Sequence, residues 1–211
     1  MKEKFKNYLN NDYKFDKSTF IGIICLIIVI SGVFGWLYEF IFYFFNSGMK
    51  QFYWRGGNFL PWINIYAIGA VIIFFLTYKK RKKPLFIFIT SMLATGILEY
   101  IAGWYMVHFN DVICWDYNQE ILNFGNINGY VCLRSVLVFG ISSLLLMYLV
   151  VPFCFYLAKH MNKKIFLIIS YSLGFIFLAD ELYNFIFANL FSLPRASTIY
   201  KKYLGFKYLY F

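Results

Sequence analysis

The chain has 211 residues, 61% of them hydrophobic and 24% aromatic, with a mean hydropathy of +0.62 and a formal net charge of +10. That composition excludes an ordinary soluble domain and calls for a fold in lipid. The 20 Lys and Arg sit mostly in short stretches between apolar runs instead of on one basic face, so they read as topology signals and exclude nucleic acid as the partner.

A helix needs ~20 apolar residues to cross a ~30 Å hydrocarbon core. Five stretches qualify, near 20–45, 58–78, 85–109, 131–157 and 165–191, and they predict an all-α, polytopic transmembrane helix bundle. The predicted organisation is a basic cytoplasmic tail over 1–19, one transmembrane helical domain over 20–191, and a basic, aromatic interfacial tail over 192–211. The first run starts near Phe20, is too long for a signal-peptide core and is followed by no small-residue cleavage pattern, so it is predicted to stay as an anchor. Pro61 and Asn64 interrupt the start of the second run, and a helix broken there is tolerated only against protein or a watery cavity.

Sidedness follows from the basic residues. Thirteen Lys and Arg fall in the N-terminal tail (Lys2, Lys4, Lys6, Lys14, Lys17), the 79–83 run and the 158–164 loop, against six on the other side. The positive-inside rule places the N-terminus in the cytoplasm of a multi-pass cell-membrane protein, with the loops near 46–57 and 110–130 outside. The outer segments hold Trp54-Arg55-Gly56-Gly57-Asn58, Trp115-Asp116-Tyr117-Asn118 and a Gly- and Asn-rich stretch from Asn123 to Gly129. Long irregular loops of this kind are more often functional than connective, which makes the outer face the working face. The tail from Pro194 alternates Lys201, Lys202 and Lys207 with aromatics up to Tyr210 and Phe211; it either lies on the outer headgroups or returns to the cytoplasm.

Acids inside the apolar runs carry the functional signal, because a carboxylate at membrane depth is costly. Glu39, Glu99, Asp180 and Glu181 occupy the first, third and fifth runs, with Asn184 one turn beyond the last pair. Glu99 shares a helix face with Gly96 and Gly103, and Glu39 with Gly32 and Gly35, so these faces are predicted to point into the bundle. Arg134 and Arg55 are the candidate counter-cations, and Glu39 with Arg134 is the first expected pair. A purely structural polar lock between helices is the alternative.

Other features point more weakly to chemistry. The four cysteines lack metal-like spacing, and Cys114 and Cys132 flank one loop where an oxidising compartment would allow a disulfide. His108, Asp111, Cys114 and Asp116 match no zinc motif, so neither a metal nor a cofactor is predicted. The tryptophans, Trp115 among them, read by default as interfacial anchors.

Several segments in order resemble a bacterial membrane family, the CmpB-like ABC-transporter type IV permeases. They are Gly35-Trp36-x-Tyr38-Glu39; Arg55-Gly56 with Pro61, Ile65-Tyr66 and Gly69; Leu98-Glu99-Tyr100; Trp115-Asp116-Tyr117; Asn126, Gly129 and Cys132-Leu133; and an acid in the final helix, Asp180. The resemblance covers about residues 30–185. Where the family commonly has Gly and Pro before Ile-Tyr, this chain has Leu60 and Asn64; where it commonly has Arg after the loop glycine, this chain has Tyr130, with Arg134 a turn later as the substitute cation. The resemblance implies a permease whose ATPase is a separate subunit, and the chain indeed carries no GxxxxGK[ST] phosphate loop.

The resulting expectation is a permease-like or transporter-like protein with an outward-facing polar intramembrane site for a small polar or cationic solute. Its partners would be the bilayer and a separate ATPase subunit or another membrane protein. The site set is Glu39, Arg55, Asn64, Tyr66, Glu99, Trp115, Asp116, Arg134, Asp180, Glu181 and Asn184. Two other readings stay open: an accessory subunit that docks a partner, and a membrane-embedded lipid-handling enzyme using Asp116 with His108, or Glu39 with Glu99, as acid and base.

Overall fold

The computed structural model describes residues 7–10 and 12–208. Lys2, Lys4 and Lys6 of the predicted basic tail, and Tyr210 and Phe211 of the aromatic tail, lie outside the described residues.

Four helices are long and apolar enough to cross a bilayer: α1 (Lys17–Asn46), α3 (Pro84–Asn110), α4 (Leu133–His160) and α5 (Lys163–Leu190). Asp16 caps α1, accepting the Thr19 backbone N–H at 3.3 Å and the Thr19 hydroxyl at 2.7 Å, and its contact with Lys163 Nζ at 3.1 Å ties the start of α1 to the start of α5. The hydroxyls of Ser18 and Thr19, together with Lys163, hold the Asp16 carboxyl well below the usual carboxylate range.

The second apolar stretch differs from expectation. Of the span predicted over 58–78, only α2 (Asn64–Thr77) is α-helical, and its 14 residues cover about 21 Å, less than the hydrocarbon core. Residues 58–63 are irregular because Gly56 turns with φ +72° and Pro61 contributes no amide hydrogen. A Cβ on Gly56 would lie 2.9 Å from the Trp62 carbonyl oxygen, so the turn admits only glycine. In α4, a π-turn over Leu146–Val150 precedes Pro152, which has no N–H to donate back along the helix. A second π-turn, Tyr183–Phe187, interrupts α5 just beyond its two acids.

α1 packs on α2 and α5, α2 on α3, α3 on α4, and the later half of α4 returns to α1, so four helices close a ring with α5 against its outer side. Gly35 allows the tightest approach: a Cβ there would sit 2.2 Å from the Tyr66 ring. At the end that carries the 78–83 and 161–162 connections, the ring is filled by a continuous apolar core including Ile23, Ile27, Phe74, Ile87, Met147 and Val151. The other end, which carries the 47–63 and 111–132 segments, holds the polar groups. The short helix α6 (Ala196–Ile199) directs the C-terminal tail to this same end, where Trp54 N–H donates to the Lys207 carbonyl at 2.8 Å and the Trp54 ring stacks on Phe206.

Within the basic 79–83 run, Arg81 departs from the reading of a solvated topology signal, being only 4% exposed. Its Nε donates to the Tyr8 carbonyl at 2.9 Å, Nη1 to the Tyr78 carbonyl at 3.1 Å and Nη2 to Asp12 at 3.1 Å, and its guanidinium lies 4.5 Å from the Tyr78 ring centroid. Truncating it removes the guanidinium donor from the Tyr8 carbonyl and leaves the Tyr78 carbonyl only the Arg81 backbone N–H at 3.3 Å. Arg81→Ala is therefore expected to lower unfolding stability in detergent by ~2–4 kcal/mol, and Arg81→Lys to recover only part because an ammonium lacks the planar fork. Lys80→Ala, at an exposed neighbour, should change it by less than ~0.5 kcal/mol in the same denaturation series.

Candidate functional site

Two polar clusters occupy the loop end, and they are built differently. The first joins α5 to the irregular segment before α2. Both Asp180 carboxylate oxygens accept backbone N–H groups, from Phe59 and Leu60, each at 3.0 Å. Glu181 accepts the side-chain amides of Asn58 at 2.7 Å and Asn64 at 3.1 Å. Asn184, set by the π-turn, donates to Asp180 at 2.7 Å and accepts the Ala196 N–H at 2.7 Å, while Tyr200 donates to the Phe59 carbonyl at 2.7 Å. Ile63 N–H reaches across to the Gly32 carbonyl of α1 at 3.1 Å. Non-helical backbone survives at membrane depth only when protein satisfies it, and these groups do so.

The second cluster lies inside the ring. The 111–132 segment does not project as an open loop; it folds back along α3, with Trp115 Nε1–H donating to the Tyr130 carbonyl at 2.9 Å and the Tyr130 ring edge-on to Tyr100 at 5.5 Å. This brings Tyr117 and Glu120 down among the helices, where both are buried. Tyr117 donates to Glu99 Oε1 at 2.7 Å and Ser135 to Glu99 Oε2 at 2.6 Å. Glu120 accepts from Arg134 Nη2 at 2.6 Å and from the Tyr43 hydroxyl. Arg55 donates from Nε to Glu39 Oε2 at 2.8 Å, with its guanidinium 4.1 Å from the Tyr43 ring centroid. Burial, and then the Glu99 carboxylate beside it, hold the Tyr117 hydroxyl well above the usual phenol range, so it stays a donor.

Glu39, Arg55, Glu99 and Arg134 from the predicted set thus come together, but with other partners than expected. Glu39 pairs with Arg55 and not with Arg134, because the fold-back inserts Glu120 beside Arg134. Tyr66 stacks on Phe139 at 5.0 Å, on the wall of this cluster, and Trp115 lines it. Asp180, Glu181, Asn184 and Asn64 belong to the α5 cluster instead. Asp116 joins neither: it orders its own turn, accepting from Asn118 N–H and the Gln119 amide, both at 2.9 Å. His108 Nδ1 donates to the Trp104 carbonyl of its own helix at 2.8 Å, and among the described residues no hydrogen bond joins it to Asp116. Cys114 and Cys132 are free thiols, and no group of three metal-binding side chains occurs among the described residues. Glu120, Tyr43, Tyr117, Ser135 and Asn58 were missing from the predicted set; Asn58 and Tyr117 alone stand within motifs that could have drawn them in.

Three cavities run across the ring in series. One of about 170 Å³ lies between α2 and α3 under Arg55, a middle one of about 30 Å³ lies between Glu39, Glu99 and Arg134, and one of about 240 Å³ lies between α1 and α4. Glu39, Ile65 and Trp115 border both the first and the middle; Tyr38, Tyr66 and Phe139 border both the middle and the third. The middle cavity has room for about one or two waters and no organic molecule without movement of its walls.

Two measurements probe this geometry. Asp180→Ala removes the acceptors of two part-buried backbone N–H groups and is expected to cost ~2–4 kcal/mol of stability, with Asp180→Asn, which keeps one acceptor oxygen, falling between it and the parent chain. Burial pushes the Cys114 thiol up to about 11. Below that value the thiol form dominates, so maleimide modification of Cys114, followed by peptide mass spectrometry, should accelerate roughly tenfold per pH unit from pH 8 to 10. A plateau below pH 9 would contradict it.

In comparisons with known proteins, no curated protein and no solved structure matches this chain. A family profile does match, described as "Putative ABC-transporter type IV", over residues 25–185. The matched region runs from within α1 to within the π-turn of α5 and takes in both polar clusters. With its long apolar helices and a match across most of its length, the chain is a transporter-like membrane protein and belongs to the ABC-transporter type IV family.

Proposed function

We propose that the chain is a permease-like subunit that binds a small polar or cationic solute at the cluster of Glu39, Glu99 and Arg134. The observation that carries this reading is the environment of Glu99. Glu39 and Glu120 each have a guanidinium partner, whereas Glu99, 3% exposed, is hydrogen-bonded among the described residues by the hydroxyls of Tyr117 and Ser135. A third carboxylate inside an apolar bundle, held by neutral donors, is matched by a cation or a proton. The apolar core closing the opposite end supports access from the loop end, which the basic-residue count assigns to the exterior of the cell membrane, with residues 1–19 cytoplasmic. On this reading 20–191 is the working domain and the 192–211 tail an interfacial one.

ATP hydrolysis, if coupled, resides in a separate subunit. One observation favours the accessory reading as well: at the basic end the connections are 78–83 and 161–162, and among the described residues they carry no helix beyond the single 3-10 turn Tyr78–Lys80 with which to meet an ATPase. Affinity purification in mild detergent separates the two, since a stoichiometric ATPase supports the permease and a stoichiometric integral protein the accessory subunit.

The test of the site uses thermal melting of the purified protein with sodium, potassium, ammonium, methylammonium and guanidinium chlorides at matched ionic strength. At least one should stabilise the parent chain, by ~2.7 kcal/mol at a hundredfold excess over its Kd, and Glu99→Gln should abolish that gain while keeping the fold. Stabilisation by none of them, or an unchanged response in Glu99→Gln, would overturn the reading.

A further inference from the structure

The cavity between α2 and α3 has a composition that a small hydrophilic solute would leave poorly matched. Its wall is mainly apolar, with Ile65, Ile68, Leu98, Ala102 and Met106 among the lining side chains. At its rim, Ile68 is 50% exposed and Tyr105 51% exposed, both on helix surfaces that face lipid in a spanning bundle. Its inner end is charged. Glu39 is partly exposed there; its Oε2 takes the Arg55 Nε–H, and its Oε1 takes no hydrogen bond among the described residues. Trp115 also lines this end, and an indole face suits a cation.

Charge decides the sign of the ligand. The connected groups are three carboxylates, Glu39, Glu99 and Glu120, against two guanidiniums, Arg55 and Arg134. An amphiphile with a donor-bearing cationic head therefore fits the cavity better than a neutral or anionic one. Size limits it further. At about 170 Å³ the cavity is close to the ~150 Å³ apolar cavity that admits benzene, so it holds roughly six heavy atoms and excludes a phospholipid headgroup.

Resting on the proposed solute site and naming its substrate class, we infer that this cavity is a side entrance from the bilayer for a single-chain primary alkylammonium. The ammonium donates to Glu39 Oε1 beside Trp115, and the chain lies along Ile65, Leu98 and Ala102 with its end toward lipid. Entry from the membrane plane removes the need to dehydrate the apolar chain, which the lipid has already done, so only the head exchanges partners.

Cys114, on the cavity wall, is the reporter. Maleimide modification of Cys114 is followed by peptide mass spectrometry in nanodiscs at pH 9, with n-hexylammonium, 1-hexanol, hexanoate or methylammonium added. Hexylammonium should slow modification at least fivefold, and hexanol and hexanoate less than twofold. Glu39→Gln should erase the protection. Because that change leaves Arg55 buried without its carboxylate and can unfold the site, Ala102→Phe, which fills the cavity and keeps the ion pair, should erase it too. Equal protection by hexanol, protection that survives Ala102→Phe, or none at all would overturn the inference. If Glu99-dependent stabilisation by a small cation persists while hexylammonium fails, the side entrance is wrong and the solute site stands; if both fail, the site itself is wrong.

Discussion

Irregular backbone inside an apolar bundle is the constraint on which this structure turns. Residues 58–63 do not form a helix, so their amide groups need partners that lipid cannot supply. Asp180 accepts the Phe59 and Leu60 amides and the Gly32 carbonyl that of Ile63, while Glu181 takes the Asn58 and Asn64 side-chain amides, so α5 is fastened to the start of α2 by hydrogen bonds to its two carboxylates. The same bonds position Gly56 and Arg55, a few residues upstream, over α1, where Arg55 meets Glu39. One cluster thus holds the backbone that presents the other.

The inner cluster shows how charge is distributed when water is scarce. Each arginine is committed to one carboxylate and an aromatic face, Arg55 with Glu39 and Tyr43, Arg134 with Glu120 and Phe42. Paired in this way, buried guanidiniums recover much of their desolvation cost. Glu99 is left with two hydroxyls beside them, and the proposed solute site rests on that asymmetry. Larger cavities flank the middle one, one between α2 and α3 and one between α1 and α4.

The two ends of the ring are physically unlike. At the basic end, packed Ile, Val, Phe and Met side chains and the Arg81 knot leave the helices little freedom, since close-packed interiors resist deformation. At the loop end the contacts are hydrogen bonds and ion pairs across segments that interrupt helices; the π-turn Tyr183–Phe187 lies here, whereas Leu146–Val150 packs in the apolar core. A conformational change that opened the middle cavity would act at this end, against directional bonds instead of a continuous apolar core.

The apolar runs, the acids buried within them and the break at Pro61 are properties of local stretches, and hydropathy and backbone chemistry are local, so they could be read along the chain. Partner choice could not. Glu39 met Arg55 because the 55–58 turn hangs from α5, and Arg134 met Glu120 because the 111–132 segment doubles back along α3; neither fold-back leaves a periodic trace in residues that otherwise look like solvated loop. Arg81 sat unnoticed in a basic run for the same cause, its burial conferred by Tyr8 and Tyr78 arriving from elsewhere. Electrostatic pairing depends on distances between segments far apart in the chain, and those distances exist only once the helices have packed.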